Sequence, residues 1–193
     1  MLLVDDNEDR NTDVLPLLQQ SVEVTVSKNN QSPGGILLYP DFTCIGGEYI
    51  VGINRKTVSE VLGDMDACRD QLLRELRNSP IDRLVLMIQG VWKPTASGMQ
   101  VYRESDSGYQ RQHLYHQPWE HVYSWMHRLW RIGVPVMVVP NMQALATAVI
   151  QEHEQSFRTD DEQVSIFNKL VRRKFYISEE DEKKRRFMLQ LMG

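Results

Sequence analysis

The amino-acid sequence predicts an α/β protein with a mixed β-sheet flanked by helices, and three observations support this class. Strand-like and helix-like segments alternate between about residues 82 and 157, which is typical of a sheet covered by helices. Residues 22–26 alternate in polarity and are β-branched, the pattern of a strand. Two further strand-like segments flank Gly46-Gly47, a dipeptide that favours a hairpin turn.

The other elements follow from apolar spacing and from the residues that begin and end helices. The expected strands are 2–4, 22–26, 35–45, 48–53, 83–88 and 134–139, and the expected helices are 13–20, 57–77, 118–130 and 141–157. Asp13 and Asn141 are the expected N-caps of the first and last of these helices. Residues 83–88 are largely apolar, as in a central strand buried on both faces. Residues 92–117 are polar and irregular, which predicts a hairpin or a mobile excursion.

Domain organisation follows from a change of pattern near residue 158. Residues 1–157 contain all the strand signals, whereas 160–193 are charged and helical in pattern. We therefore expect a core over 1–157 and a C-terminal helical segment over 158–193.

Composition excludes several classes of protein. The chain has 193 residues, 41% of them hydrophobic and 25% charged, which is ordinary for a globular domain. It contains no apolar run long enough to span a bilayer and no positive leader before an apolar stretch. We expect an intracellular protein without a membrane partner, cytoplasmic if microbial or viral and nuclear if eukaryotic. Cys44 and Cys68 belong to no zinc-like cluster, so we expect two buried thiols.

Acidic and amide side chains gather at the predicted strand ends. Asp5 and Glu8 follow the first strand, Asp41 lies in one hairpin strand, and Asn54 and Lys56 end its partner. Residues opposite each other in a tight hairpin are neighbours, and residues two apart in a strand share a face. Carboxylate and amide oxygens can hold Mg²⁺, and a lysine beside the metal can orient water for phosphodiester hydrolysis. Such residues also occur as solvated surface side chains, so this pattern alone leaves both interpretations open.

A resemblance to a known family separates these interpretations. Five segments resemble, in order and spacing, the nuclease domain of XPF/Hef-type structure-specific endonucleases, members of the PD-(D/E)xK superfamily. These segments are Val4-Asp5-Asp6-Asn7-Glu8, Pro40-Asp41-Phe42, the strand-to-helix segment 50–60 with Asn54-Arg55-Lys56, Cys68-Arg69-Asp70-Gln71-Leu72-Leu73 and Leu86-Met87-Ile88-Gln89-Gly90. The resemblance covers residues 1–157 and implies a restriction-endonuclease-like core. It also implies metal-dependent cleavage of branched, flapped or junction DNA.

The resemblance implies roles for individual residues. The expected ligands of Mg²⁺ or Mn²⁺ are Asp5, Glu8, Asp41 and Asn54, and the expected catalytic residues are Asp41, Asn54, Lys56 and Glu8. Arg55 and Arg69 are expected to engage the DNA backbone. Trp92 and Lys93 lie together in the irregular segment 92–117, where an aromatic ring can stack on a base, and complete the expected DNA contacts. Family members commonly dimerise, so we expect a homodimer or heterodimer formed through the core.

The chain departs from the family at two positions. Asn54 and Gln89 stand where the resemblance expects glutamate. The site can therefore be a slow cutter, a degenerate member that binds DNA or assembles complexes without cutting, or a variant inactivated by design; the sequence leaves all three open. The segment 186–193 resembles the entry of a helix-hairpin-helix module, so we expect a chain truncated before that module.

Overall fold

The computed structural model describes residues 1–5, 13–27, 40–46, 49–158 and 162. The chain divides into one unit of Met1–Phe157 and a second of Arg158–Gly193, and only Arg158 and Glu162 of the second are described. The predicted helical segment 158–193, the loop and strand expected over 28–39, and Gly47 of the expected turn lie outside the described residues. In the described part of the chain, every helix is too short or too polar to traverse a bilayer.

The described residues contain nine strands and five helices. In chain order they are β1 (Leu2–Asp5), α1 (Leu15–Gln19), β2 (Val24–Ser27), β3 (Phe42–Ile45), β4 (Ile50–Thr57), α2 (Val58–Gly63), α3 (Met65–Asn78), β5 (Arg83–Gln89), β6 (Val91–Thr95), β7 (Gly98–Ser105), β8 (Gly108–Tyr115), α4 (Trp119–Arg131), β9 (Val136–Val139) and α5 (Met142–Ser156).

Six of these strands form one mixed sheet in the order β2-β1-β3-β4-β5-β9. Strand β3 runs antiparallel to β1 and β4, and the other neighbouring pairs are parallel. Helices cover both faces of this sheet, so two apolar layers form. One layer involves α1 and α5, and the other involves α2, α3 and α4. The predicted fold class, a mixed sheet flanked by helices, is confirmed.

The centre of the sheet explains why the two layers are separate. Residues 84–88 of β5 are all buried, and successive side chains contribute to opposite layers. Val85 and Met87 pack in the α5 layer, whereas Leu84, Leu86 and Ile88 pack in the α3 layer. This matches the expected central strand, because an apolar run buries both of its faces when helices cover both sides.

Two expectations about local structure were wrong or incomplete. The single helix expected over 57–77 is two helices, because Asp64 ends α2 and its side chain caps α3 by accepting from the Ala67 N–H at 2.9 Å. The segment expected to be irregular is a three-stranded antiparallel sheet of β6, β7 and β8. The strands were not recognised in the sequence because the segment is mostly polar. Among its described residues, only Met99 and Val101 are buried hydrophobic side chains.

Two more details, one in the main sheet and one at a helix end, differ from the predictions. Strand β9 is an edge strand rather than a fully buried one, and Val138 is 45% exposed. The N-cap of α1 is Val14, which makes no side-chain capping bond, so the expected cap at Asp13 is not formed. The cap of α5 does form, because Asn141 Oδ1 accepts from the Ala144 N–H at 3.0 Å. Both cysteines are buried thiols.

Candidate active site

Three polar residues lie in a row across the ends of adjacent strands. Val4 pairs with Phe42, and Phe42 pairs with Ile53. One step further along the same register, Asp5 lies beside Asp41 and Asp41 beside Asn54. The Asp5 N–H donates to the Asp41 carbonyl at 3.0 Å, which continues the ladder to this row. Residues directly opposite in a sheet share a face, so this register places the three residues on the same face of the sheet.

The row is buried although it is polar. Asp5, Asp41 and Asn54 are 8%, 5% and 1% exposed. Buried polar groups usually carry hydrogen bonds, and one oxygen of the Asp41 carboxylate accepts from the Arg55 backbone N–H. Lys56 follows Asn54 by two residues on the same strand face and is half-buried. Asp5, Asp41, Asn54 and Lys56 are called the candidate site below.

A fifth residue, Glu75 on α3, contacts this site and was not predicted from the sequence. The Asn54 Nδ2 group donates to both carboxylate oxygens of Glu75, at 2.9 and 3.1 Å. The Gln71 side chain, one turn earlier on α3, donates to Glu75 Oε1 at 2.8 Å. Glu75 is only 4% exposed. A sequence signal did exist, because residue 75 follows Leu72 by three positions and so falls on the apolar face of the helix.

Burial sets the ionisation of Glu75. Removing the carboxylate from water raises its pKa from 4.5 to about 7, although the bonds from Gln71 and Asn54 and the charges of Lys56 and Arg74 act in the opposite direction. The Lys56 charge also lowers the pKa of the Cys68 thiol, which burial raises more strongly. The Lys56 ammonium is therefore close to the layer between β4 and α3.

The other end of the Asn54 amide has no such contact. Asn54 Oδ1 is buried and has no hydrogen-bond partner among the described residues. Because the Asn54 Nδ2 group donates to both oxygens of Glu75, the amide is held in one orientation, and its Oδ1 is turned away from Glu75. Asn54 therefore presents an acceptor oxygen on the same sheet face as the two aspartates.

Arg55 and Gln89 form a separate contact on the opposite face of the sheet. Arg55 is 9% exposed, and its Nε donates to Gln89 Oε1 at 2.9 Å. Val85 and Met87 share this face with Gln89, because they alternate with it along β5. The amide at position 89 therefore does not join the candidate site, and the buried Arg55 guanidinium is held within the protein.

The remaining predicted residues are scattered or undescribed. Glu8, an expected metal ligand, lies outside the described residues. Arg69 on α3 is 37% exposed at its side chain and pairs with Asp66 and Asp70 at 2.8 and 2.9 Å. Trp92 is half-buried and Lys93 is exposed on β6. The structure brings none of these three into hydrogen-bonding contact with the candidate site, as far as the described residues show.

A hard divalent cation fits the donors of the candidate site. In the described residues, no three or more histidine, cysteine, aspartate or glutamate side chains are grouped to hold a metal ion. Mg²⁺ commonly uses only one or two carboxylates and keeps several waters. Two buried carboxylates and one buried amide oxygen that lacks a donor meet that requirement.

The six-stranded mixed sheet and its flanking helices form an XPF-nuclease-like α/β core. XPF from Aeropyrum pernix is similar to this chain, with a TM-score of 0.53 and 17% identity over 82% of this chain. The match covers 62% of that chain, so this protein spans less than two thirds of its length. A structure described as XPF from Aeropyrum pernix in complex with DNA matches 84% of this chain and 69% of its own, at 14% identity and a TM-score of 0.48.

No family model and no curated protein matches the sequence. The fold expected from the resemblance is confirmed by the first structural match. At 17% identity the likeness shows the fold alone, and the roles of individual residues stay predictions.

Proposed function

We propose that this protein is a metal-dependent endonuclease that cuts branched, flapped or junction DNA. The observation that carries the proposal is the buried row of Asp5, Asp41 and Asn54, with Lys56 on the same face, in an XPF-nuclease-like core. The row supplies two carboxylates and one amide oxygen, which are the kinds of ligand that a hard divalent cation prefers.

The proposed roles follow from charge and position. Asp5 and Asp41, together with Glu8, would hold Mg²⁺ or Mn²⁺, and Asn54 would add a neutral oxygen. When bound, such a cation supplies a more acidic water and neutralises charge on the phosphate. Lys56 would orient that water or stabilise the charge that develops on the phosphate oxygens. Because Arg55 N–H holds the Asp41 carboxylate, the end of β4 fixes the direction of that ligand.

DNA would be contacted outside this row. Arg69, Lys93 and Trp92 are the proposed contacts. Arg69 and Lys93 are at least partly exposed, whereas Trp92 packs partly against the layer of α2, α3 and α4 and has only the rest of its ring left to stack on a base. The Arg55 guanidinium, being bonded to Gln89, would act on the backbone only after that contact opens.

The proposal includes a homodimer or heterodimer formed through the core. Helix α4 carries Trp119, Tyr123 and Trp130, which are 37%, 54% and 65% exposed. Large exposed aromatic side chains on one helix are enriched at protein interfaces. Light scattering of the purified chain, compared with a Trp130→Glu variant, tests this part: a dimer that persists unchanged in the variant would exclude α4 as the interface.

A second candidate function is a non-catalytic scaffold that binds DNA or assembles complexes. The observation that favours it is the loss of charge at Asn54, which leaves two carboxylates in the described part of the row. A scaffold needs the fold and the DNA contacts but not the cation.

Cleavage of a labelled fork and a labelled junction in Mg²⁺ or Mn²⁺ separates the two candidates. The natural chain is compared with Asp41→Ala and with a matched control, Asp106→Ala, whose carboxylate lies exposed in the β7–β8 turn. A nuclease cuts in metal and not in EDTA, loses at least a hundredfold in rate on Asp41→Ala, and is unchanged by Asp106→Ala. Cutting that survives Asp41→Ala would overturn the site assignment. DNA binding without cutting in any metal would favour the scaffold.

A further inference from the structure

Glu75 occupies a position that packing alone does not explain. It lies on the buried face of α3 with Met65, Cys68 and Leu72, where an aliphatic side chain would bury more apolar surface without a charge. Its carboxylate is instead contacted by the amides of Asn54 and Gln71. A carboxylate in an apolar layer loses its contact with water, and this cost points to a role beyond packing.

The charge on Glu75 is adjacent to the place where charge is missing. Residue 54 is an amide, and both oxygens of Glu75 accept from that amide at 2.9 and 3.1 Å. The amide cannot rotate without breaking both bonds, so its Oδ1 stays turned away from Glu75. That oxygen is buried without a partner among the described residues, on the sheet face it shares with Asp41.

We propose that Glu75 is a positioning residue of the candidate site, which holds the Asn54 amide through both carboxylate oxygens so that Oδ1 faces a divalent cation, and which in its ionised form supplies the negative charge that residue 54 lacks. This inference rests on the proposed function, because it requires that the site bind a cation. Partners that orient a ligand from behind are known to matter for affinity, typically by tenfold to a hundredfold.

The pair also predicts what happens when charge is restored at residue 54. Glutamate at 54 would put two carboxylates within hydrogen-bonding distance of each other in a buried layer, where like charges repel. Asn54→Glu alone is therefore not a repair of the site. The repair is the exchange of both residues, Asn54→Glu with Glu75→Gln, because the exchange keeps one carboxylate and one amide in the pair.

The test uses the full chain in four forms: natural, Glu75→Gln, Asn54→Glu and the double exchange. Mn²⁺ affinity is measured by calorimetric titration, and stability by urea unfolding in EDTA. Glu104→Gln, which changes an exposed glutamate on β7, is the matched control. We expect Glu75→Gln to weaken Mn²⁺ binding by about tenfold or more while its metal-free stability is equal or higher. We expect Asn54→Glu to be less stable in EDTA and the double exchange to recover both stability and Mn²⁺ affinity.

The outcomes distinguish this inference from the proposed function. If the natural chain binds Mn²⁺ and Glu75→Gln binds it within twofold as tightly, the inference is overturned and the proposed function stands. If the double exchange is no better than Asn54→Glu in either measurement, the coupling of the pair is refuted. If none of the four forms binds Mn²⁺, both the inference and the metal-dependent function fail. A loss of Mn²⁺ affinity without loss of stability supports the inference, because a merely structural residue would lose stability.

Discussion

Replacing Glu75 by glutamine should remove the contribution of Glu75 to the pH dependence of stability near neutral pH. Burial raises the pKa of Glu75 from 4.5 in the unfolded chain to about 7 in the folded protein. Between these values the folded state holds a proton that the unfolded state has lost, so stability falls as pH rises through this window. One pKa unit corresponds to about 1.4 kcal/mol, so the whole shift corresponds to about 3 kcal/mol. Glu75 is only 4% exposed, so solvent screening reduces this figure little.

The assay is urea unfolding followed by circular dichroism at pH 5, 6, 7 and 8, in EDTA so that no cation alters the ionisation. The unfolded chain is already largely ionised at pH 5, so roughly 2.5 kcal/mol of the effect falls between pH 5 and 8. The natural chain should lose that amount relative to Glu75→Gln, whose side chain does not titrate. The control Glu104→Gln, changed at an exposed glutamate, should follow the natural chain at every pH.

The difference between the natural chain and Glu75→Gln is the decisive quantity. Other groups titrate in the same range, but they contribute equally to both proteins and cancel in the difference. A difference that stays constant within about 0.5 kcal/mol from pH 5 to 8 would refute the raised pKa, and a difference of opposite sign would refute the burial argument itself.

Three further substitutions test packing elsewhere in the fold, each by urea unfolding at pH 7. Gly46→Ala should destabilise the protein by about 2 kcal/mol or more, because the new methyl group would meet the backbone carbonyl of Ser156 at the end of α5, which cannot move aside; a neutral result would contradict this contact. Gly63→Ala is its matched control and should be neutral or stabilising by about 0.5 kcal/mol, because nothing lies within 4 Å and an alanine is favoured at a helical position. Trp125→Phe should cost about 1–3 kcal/mol, because Trp125 Nε1 donates to the Met65 carbonyl at 2.8 Å in the core between α4 and α3; a loss under 0.5 kcal/mol would show that this bond contributes little.

The parts of the fold that were predictable are those that local pattern determines. The apolar run 83–88 predicted a strand buried on both faces because each alternate side chain needs its own apolar layer, and β5 has one on each side. The hairpin of β3 and β4 was predictable because a turn dipeptide joins two strand-like segments. By contrast, the break between α2 and α3 was not predictable, because the apolar spacing continues across it. The break is marked only by the Asp64 side chain, which accepts from the Ala67 N–H.

Only those residues of the candidate site that lie on neighbouring strands were predictable from the sequence. Strand register brings Asp5, Asp41 and Asn54 together, and pairing across a hairpin makes such a row foreseeable. Glu75 was missed because its contact with Asn54 joins residues 21 positions apart on a strand and a helix. A glutamate within a charged helix is ordinarily solvated, and only its place on the apolar face distinguishes Glu75 from Arg74 beside it.

The two amides that replace expected acids have different consequences. Gln89 uses its Oε1 to accept from Arg55, so this amide is committed to a contact on the far face of the sheet. Asn54 uses its Nδ2 toward Glu75, and its Oδ1 remains without a donor in the described part of the chain. Of these two amides, only Asn54 therefore retains an oxygen that could bind a cation. It follows that restoring an acid at 89 should strengthen the contact with Arg55 and leave cation affinity unchanged, whereas any change at 54 acts on the site through Glu75.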